Sequence, residues 1–94
     1  MCITFEWDVR KAAGNLLKHG VAFEEAATVF GDPLSLTIPD PRHSSPGESR
    51  HVIMGESGMG RLLVVVHWDR GDRIRIISAR IAASRERRQY EAGR

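Results

Sequence analysis

Arginines recur through Gly71-Asp72-Arg73-Ile74-Arg75-Ile76-Ile77-Ser78-Ala79-Arg80, a stretch with the β-branched character of a strand. They recur again through Ser84-Arg85-Glu86-Arg87-Arg88-Gln89-Tyr90. A guanidinium is a planar fork of donors that matches phosphate oxygens in pairs, and a rigid strand holds that fork in place. From Arg70 onward eight arginines (70, 73, 75, 80, 85, 87, 88, 94) stand against three acids, Asp72, Glu86 and Glu91. The acids Glu6, Asp8, Glu24, Glu25, Asp32 and Asp40 lie earlier. A basic second half of this kind attracts nucleic acid or an acidic partner protein, and a solvated basic face without a ligand has the same composition.

Positioning these groups depends on the order of elements. Ile3 to Trp7 alternates as an opening strand does, Asp8 stands at a helix N-cap, and Gly20 stops the helix that follows. In that helix Val9, Ala13, Leu16 and Leu17 share one face. Phe23, Ala26, Ala27 and Phe30 form the apolar stripe of a second helix, ended by Gly31-Asp32-Pro33. The period then becomes extended. Strands are expected at Leu34–Ile38, Arg50–Glu56, Arg61–Trp68 and Asp72–Arg80, with a Pro-rich loop from Pro39 to Gly47 and a closing helix near 82–92. The expected architecture is α+β, one domain over residues 1–94: an antiparallel sheet of about four strands, with two N-terminal helices and a C-terminal helix packed on one face.

Turn chemistry then assigns the two sides of the sheet. A three-residue loop Asp69-Arg70-Gly71 sets Trp68 against Asp72, His67 against Arg73, Val65 against Arg75 and Leu63 against Ile77. One side collects Leu62, Val64, Val66, Ile74 and Ile76 for the helices to cover. The other carries Arg61, Leu63, Val65, His67, Arg73 and Arg75 toward water. A histidine beside arginines is biased toward neutral imidazole, which accepts a proton near neutral pH. In RNA cleavage that proton comes from a 2′-hydroxyl, and arginines steady the charge gathering on phosphorus. A histidine that merely ends an exposed strand has the same spacing.

Other chemistries find less support. His19, His43, His51 and His67 have no metal-ligand spacing, and Gly55-Glu56-Ser57-Gly58-Met59-Gly60 lacks the lysine of a phosphate loop. Ser44 and Ser45 have no nucleophile elbow, and the single cysteine, Cys2, makes no internal disulfide. No cofactor and no metal are expected. No apolar run reaches the ~18 residues of a membrane span and no secretion signal is visible, so the cytoplasm is the expected location.

Phe5-Glu6-Trp7-Asp8, Lys11, Asn15, Lys18-His19-Gly20-Val21, Phe23-Glu24-Glu25-Ala26, Val29-Phe30 and Asp32-Pro33 together resemble the BrnT family of type II toxins. The likeness continues through Asp40, His43-Ser44, Arg50, Gly55, Ser57, the run from Gly60 to Val65, Ile74 to Arg80, Glu86-Arg87-Arg88 and Tyr90-Glu91. It covers almost the whole chain in order. The resemblance implies a RelE-like fold and a metal-independent endoribonuclease that inhibits translation. It also implies neutralisation by a BrnA-type antitoxin with a ribbon-helix-helix DNA-binding part, so that DNA is met only through the antitoxin complex. On this likeness His67 is the candidate general base or acid, Arg75 and Arg80 the phosphate or transition-state ligands, and Tyr90 a residue that places substrate. Arg50, Arg61 and Arg73 are the substrate-binding cations. Ala22 departs from the expected serine N-cap, although Glu25 can supply half of a capping box. Trp68 replaces a small polar residue; its ring can pack against the helices, the side its parity favours, or stack on a base. Two other functions fit the same arginines: a non-enzymatic RNA- or ribosome-binding module, and an inactive antitoxin partner in operon autoregulation.

Overall fold

A computed structural model of the chain describes residues 3–39 and 49–93. Cys2, Asp40 and the loop carrying His43, Ser44 and Ser45 lie outside them. The elements run β1 (Thr4–Glu6), α1 (Val9–His19), α2 (Phe23–Thr28) with a 3-10 turn at Val29–Gly31, β2 (Leu36–Pro39), β3 (Arg50–Glu56), β4 (Leu62–Asp69), β5 (Arg73–Ile81) and α3 (Ser84–Ala92). Asp8 caps α1 by accepting hydrogen bonds from the N–H groups of Arg10 (2.8 Å) and Lys11 (3.1 Å). Gly20 closes the helix at φ +69°, a left-handed conformation that costs glycine little. Ala22 offers α2 no side-chain cap, and Glu25 does not complete a capping box but turns to Arg61 and Ser57.

The sheet has five strands in the order β1-β5-β4-β3-β2, and it is mixed rather than wholly antiparallel because β1 runs parallel to β5. The helices are not all on one face. Phe23, Ala26 and Val29 pack with Ile53, Leu63, Val65, Ile76 and Ala79, whereas Tyr90 of α3 packs with Met54, Leu62 and Val64. Neighbours along a strand point to opposite sides, so α3 covers the reverse of the sheet from α1 and α2. This explains the uninterrupted apolar run at Leu62–Val66: β4 is a central strand with cover on both sides.

The β4–β5 register also differs from expectation. The connection is a two-residue loop, Gly71-Asp72, flanked by Arg70 and Arg73, with the Arg70 N–H donating to the Arg73 carbonyl at 2.8 Å. Gly71 takes φ +83° at the first loop position, where a tight hairpin turn requires it. Trp68 therefore faces Arg75, and His67 faces Ile76. One step later Val66 faces Ser78, leaving Ile77 as an extra residue in β5. This bulge reverses the parity of everything beyond it, so Arg75 and Arg80 share a side despite their odd separation.

Asn15 fastens α1 to the sheet. Its amide donates to the carbonyls of Val21 (2.9 Å) and Ala79 (2.8 Å), and its oxygen accepts from the Ala79 N–H at 3.1 Å. The inner surface of α1 is thus a buried polar clasp beside Ala12, and the helix keeps its larger apolar side chains elsewhere.

Candidate nucleic-acid interface

One half of the sheet surface on the α3 side carries a concentration of arginines. The row Glu6, Arg75, Trp68, Arg50 crosses four adjacent strands in register. Strand spacing makes that row roughly 14 Å long. Glu6 is its organising group. Its Oε2 accepts from Arg70 Nη1 at 2.8 Å and from Arg75 Nη1 at 3.2 Å, and Arg73 Nη1 lies 3.6 Å from Oε1. Burial alone would raise the pKa of this carboxyl group, but hydrogen bonds from Arg75 and Arg70 outweigh it and hold the value below the usual range. One carboxylate thus gathers three guanidinium groups and leaves an excess of two positive charges. The Arg70 guanidinium also lies 4.7 Å over the Trp68 ring. Trp68 is half-buried on this basic side and is not part of the helix packing its parity had suggested.

Such a surface offers two things to a single-stranded polyanion. Its cations grip phosphates, and an indole with an accessible surface stacks on a base.

Of the expected site residues, Arg73 and Arg75 meet at Glu6, and Arg50 stands in the same row two strands from Arg75. His67 does not join them. It points to the opposite side from Arg75, is 5 % exposed, and packs edge-on against Phe30 with ring centroids 4.8 Å apart. It stacks on His51 at 5.9 Å, and neither of its ring nitrogens has a hydrogen-bond partner among the described residues. That position removes the geometric basis for His67 as proton acceptor to a substrate on the arginine surface. Burial, with a smaller contribution from His51, holds its pKa down to about 4 against an ordinary 6.5, and Asp69 opposes the shift only weakly.

The folded-state pKa is depressed, so this histidine's contribution to stability is complete above about pH 6.5 and is lost as pH falls toward 4. Urea unfolding should show a loss of roughly 2 kcal/mol from this group between about pH 7 and about pH 5. In His67→Phe that part of the pH dependence should vanish; an unchanged slope would mean that His67 titrates normally.

Arg61 is also elsewhere. Its Nε donates to Glu25 Oε2 at 2.9 Å, its Nη2 donates to the Gly20 carbonyl at 3.1 Å, and Nη2 pairs with Glu25 Oε1. Ser57 Oγ donates to the same carboxylate at 2.7 Å, and the Arg61 hydrogen bonds chiefly hold the Glu25 pKa low. Arg61 is therefore a clasp between β4 and the start of α2, not a cation on the arginine surface. Arg80 shares the side of Arg75 but forms a paired contact with Glu86 (2.7 and 2.8 Å), whose Oε1 also accepts from the Ala83 N–H at 2.8 Å and so caps α3. Tyr90 is buried, and its hydroxyl donates to Asp32 Oδ2 at 2.6 Å. It anchors α3 and does not present its ring to a substrate.

Glu6 and Arg70 are the members of this surface that sequence reasoning missed. The parallel pairing of β1 with β5 is what brings Glu6 there, and no local pattern announces it. Among the described residues, no group of three or more His, Cys, Asp or Glu could hold a metal ion, and no helix is long and apolar enough to cross a membrane.

A family model described as the ribonuclease toxin BrnT of a type II toxin-antitoxin system matches residues 7–86. Among solved structures, the 1.1 Å crystal structure of the Brucella abortus ribonuclease toxin BrnT is similar, with a TM-score of 0.68 at 21 % sequence identity. The likeness covers 87 % of this chain and 99 % of that one, and it is a likeness of fold. No curated protein matches.

Proposed function

Because the chain belongs to the BrnT family of ribonuclease toxins of type II toxin-antitoxin systems, we propose that RNA is bound and cut across the Glu6–Arg70–Arg73–Arg75–Trp68 surface. The observation that carries this reading is the gathering of three guanidinium groups around one ionised carboxylate, on sheet surface that α3 leaves accessible. The reaction is an attack of a ribose 2′-oxygen on the adjacent phosphorus with departure of the 5′-oxygen. Water on this exposed surface takes the proton of the 2′-hydroxyl and returns one to the leaving oxygen, and the products are a 2′,3′-cyclic phosphate and a 5′-hydroxyl. Arg75 and Arg73 take the growing charge on the phosphate oxygens, and Arg70 over Trp68 guides the neighbouring nucleotide. Glu6 is a positioning residue. It holds mutually repelling cations in one arrangement before substrate arrives, and substrate phosphates replace part of its contacts.

Cleavage of this kind requires no metal ion. In the cell it would inhibit translation, and a BrnA-type antitoxin with a ribbon-helix-helix part would neutralise it and carry the complex to operator DNA. The test is incubation of purified protein with RNA in excess chelator. Fragments ending in cyclic phosphate are expected. Intact RNA that only migrates more slowly would identify a binding module and overturn the enzymatic reading.

A further inference from the structure

The row Glu6, Arg75, Trp68, Arg50 is followed on the same side of the sheet by Ser78, Val66, Val52 and Ile38, and then by Arg80, Val64, Met54 and Leu36. Strand rise sets such rows roughly 7 Å apart. Past the arginines the surface turns apolar without being fully covered. Ile38 is 61 % exposed and Leu36 38 %, and Val52 and Val66 are half-buried. Leu36, Ile38, Val52 and Val64 floor a depression of about 120 Å³. Glu86 and Gln89 of α3 wall it at the end away from Trp68.

The charges around this depression indicate what fits. Its acids near the floor are already held by arginines: Glu6 by the cluster described above, and Glu86 by Arg80 through both carboxylate oxygens. Glu56 stands one row beyond Met54, farther still from Arg75. At one margin the Glu6 cluster leaves its excess of positive charge. At the other, Arg85 is exposed on the same shoulder of α3 as Gln89, four residues later, and α3 as a whole carries Arg85, Arg87 and Arg88 against Glu86 and Glu91. An apolar floor bordered by cations, with an indole at one end, suits single-stranded nucleic acid, whose phosphates take the margins while a base lays its face on the floor. The volume takes one planar ring system; an amphipathic helix, about 10–12 Å across, does not fit.

We propose that the depression between Trp68 and α3 is a nucleobase subsite that receives the base next to the one stacked on Trp68, with Gln89 reading its edge. A side-chain amide both donates and accepts, as the edge of a base requires. The proposal rests on the ribonuclease reading above and deepens it: the choice of RNA sequence is made by β2, β3 and α3, one row away from the arginines that hold phosphate.

The test follows the methyl signals of Leu36, Ile38, Val52 and Val64 by NMR in wild type and Gln89→Ala. The probes are short 2′-O-methylated homopolymers of A, C, G and U, and a ribose-phosphate oligomer of equal length without bases. Base protons should show nuclear Overhauser contacts to the Ile38 and Val52 methyls, and the baseless oligomer should leave those methyls unmoved. Wild type should bind one homopolymer in preference to another. Gln89→Ala should shrink that preference roughly fivefold, the weight of one hydrogen bond, while binding the baseless oligomer as wild type does. The proposal is overturned if RNA shifts Trp68 and Arg75 but not these methyls, or if Gln89→Ala keeps the full preference. Methyls that move with purified cognate antitoxin and not with RNA overturn it too, and identify a protein-docking groove instead. If RNA moves neither the methyls nor Trp68, the ribonuclease reading fails and the subsite with it.

Discussion

Arg75→Ala should cleave RNA about 100-fold more slowly than wild type in single-turnover assays, the scale seen when one fixed donor to a developing negative charge is removed. Arg75 sits at the centre of the row Glu6, Arg75, Trp68, Arg50, and it is the arginine whose pairing with Glu6 spans two strands in direct register. Its side chain is only one-third exposed, so the strand and its neighbours hold the guanidinium in place. Arg75→Lys should recover part of the charge but not the two-pronged geometry, and should fall between the alanine variant and wild type. His67→Phe, in contrast, should stay within a few-fold of wild type at neutral pH, because the ring it replaces is buried on the other side of the sheet. A wild-type rate for Arg75→Ala together with a dead His67→Phe would reverse the assignment of the site.

Asn15→Leu should cost roughly 3–5 kcal/mol in urea unfolding, because it strips partners from the carbonyls of Val21 and Ala79 and from the Ala79 N–H. That is a large share of the 5–15 kcal/mol typical of a domain. Asn15→Asp separates hydrogen bonding from packing, since its volume is nearly unchanged. An ionised aspartate would direct an acceptor at two carbonyl oxygens and would favour its protonated form, so its folded-state pKa rises above the unfolded value. Stability contributed by the protonated acid is then complete at low pH and lost as pH rises through the folded pKa. Asn15→Asp should accordingly be less stable near neutral pH than in mild acid, opposite to the His67 effect. A neutral outcome for both variants would mean that the clasp between α1 and β5 is dispensable.

Much of the local structure was legible because it rests on local chemistry. Asp8 and Gly20 bound α1 as capping rules require, and the period of Phe23, Ala26, Ala27 and Phe30 marked α2. The alternation of Arg73, Ile74, Arg75 and Ile76 assigned β5 one basic and one apolar side, and that division is real. What failed was the matching of one strand to the next. Gly71-Asp72 is itself a two-residue hairpin signal, but the neighbouring Asp69-Arg70-Gly71 satisfies three-residue turn chemistry, and the odd shift of three residues, from Asp72 to Arg75 opposite Trp68, exchanges the faces. The bulge at Ile77 is hidden because Ile76 and Ile77 are both apolar, so no break in pattern betrays the extra residue. The position of α3 on the reverse side follows from the two-sided burial of β4, which a short apolar run cannot distinguish from one-sided burial. Likewise nothing local shows that Asn15, not the shared face of Val9, Ala13, Leu16 and Leu17, makes the inward contact of α1.

The candidate site was consequently half legible. Arg73, Arg75 and Arg50 lie on one side of the sheet, whereas His67, Arg61 and Tyr90 belong to packing and to structural contacts elsewhere. Glu6 entered by the parallel pairing of β1, a contact between residues at opposite ends of the chain.

The most direct measurement of the central claim is an NMR titration with a short RNA made uncleavable by 2′-O-methylation, following the side-chain N–H signals of tryptophan and arginine. The Trp68 indole and the guanidinium groups of Arg70, Arg73 and Arg75 should shift together on binding, while signals around His51, His67 and Phe30 stay in place. Shifts confined to the histidine side of the sheet, with Trp68 and Arg75 unmoved, would contradict it.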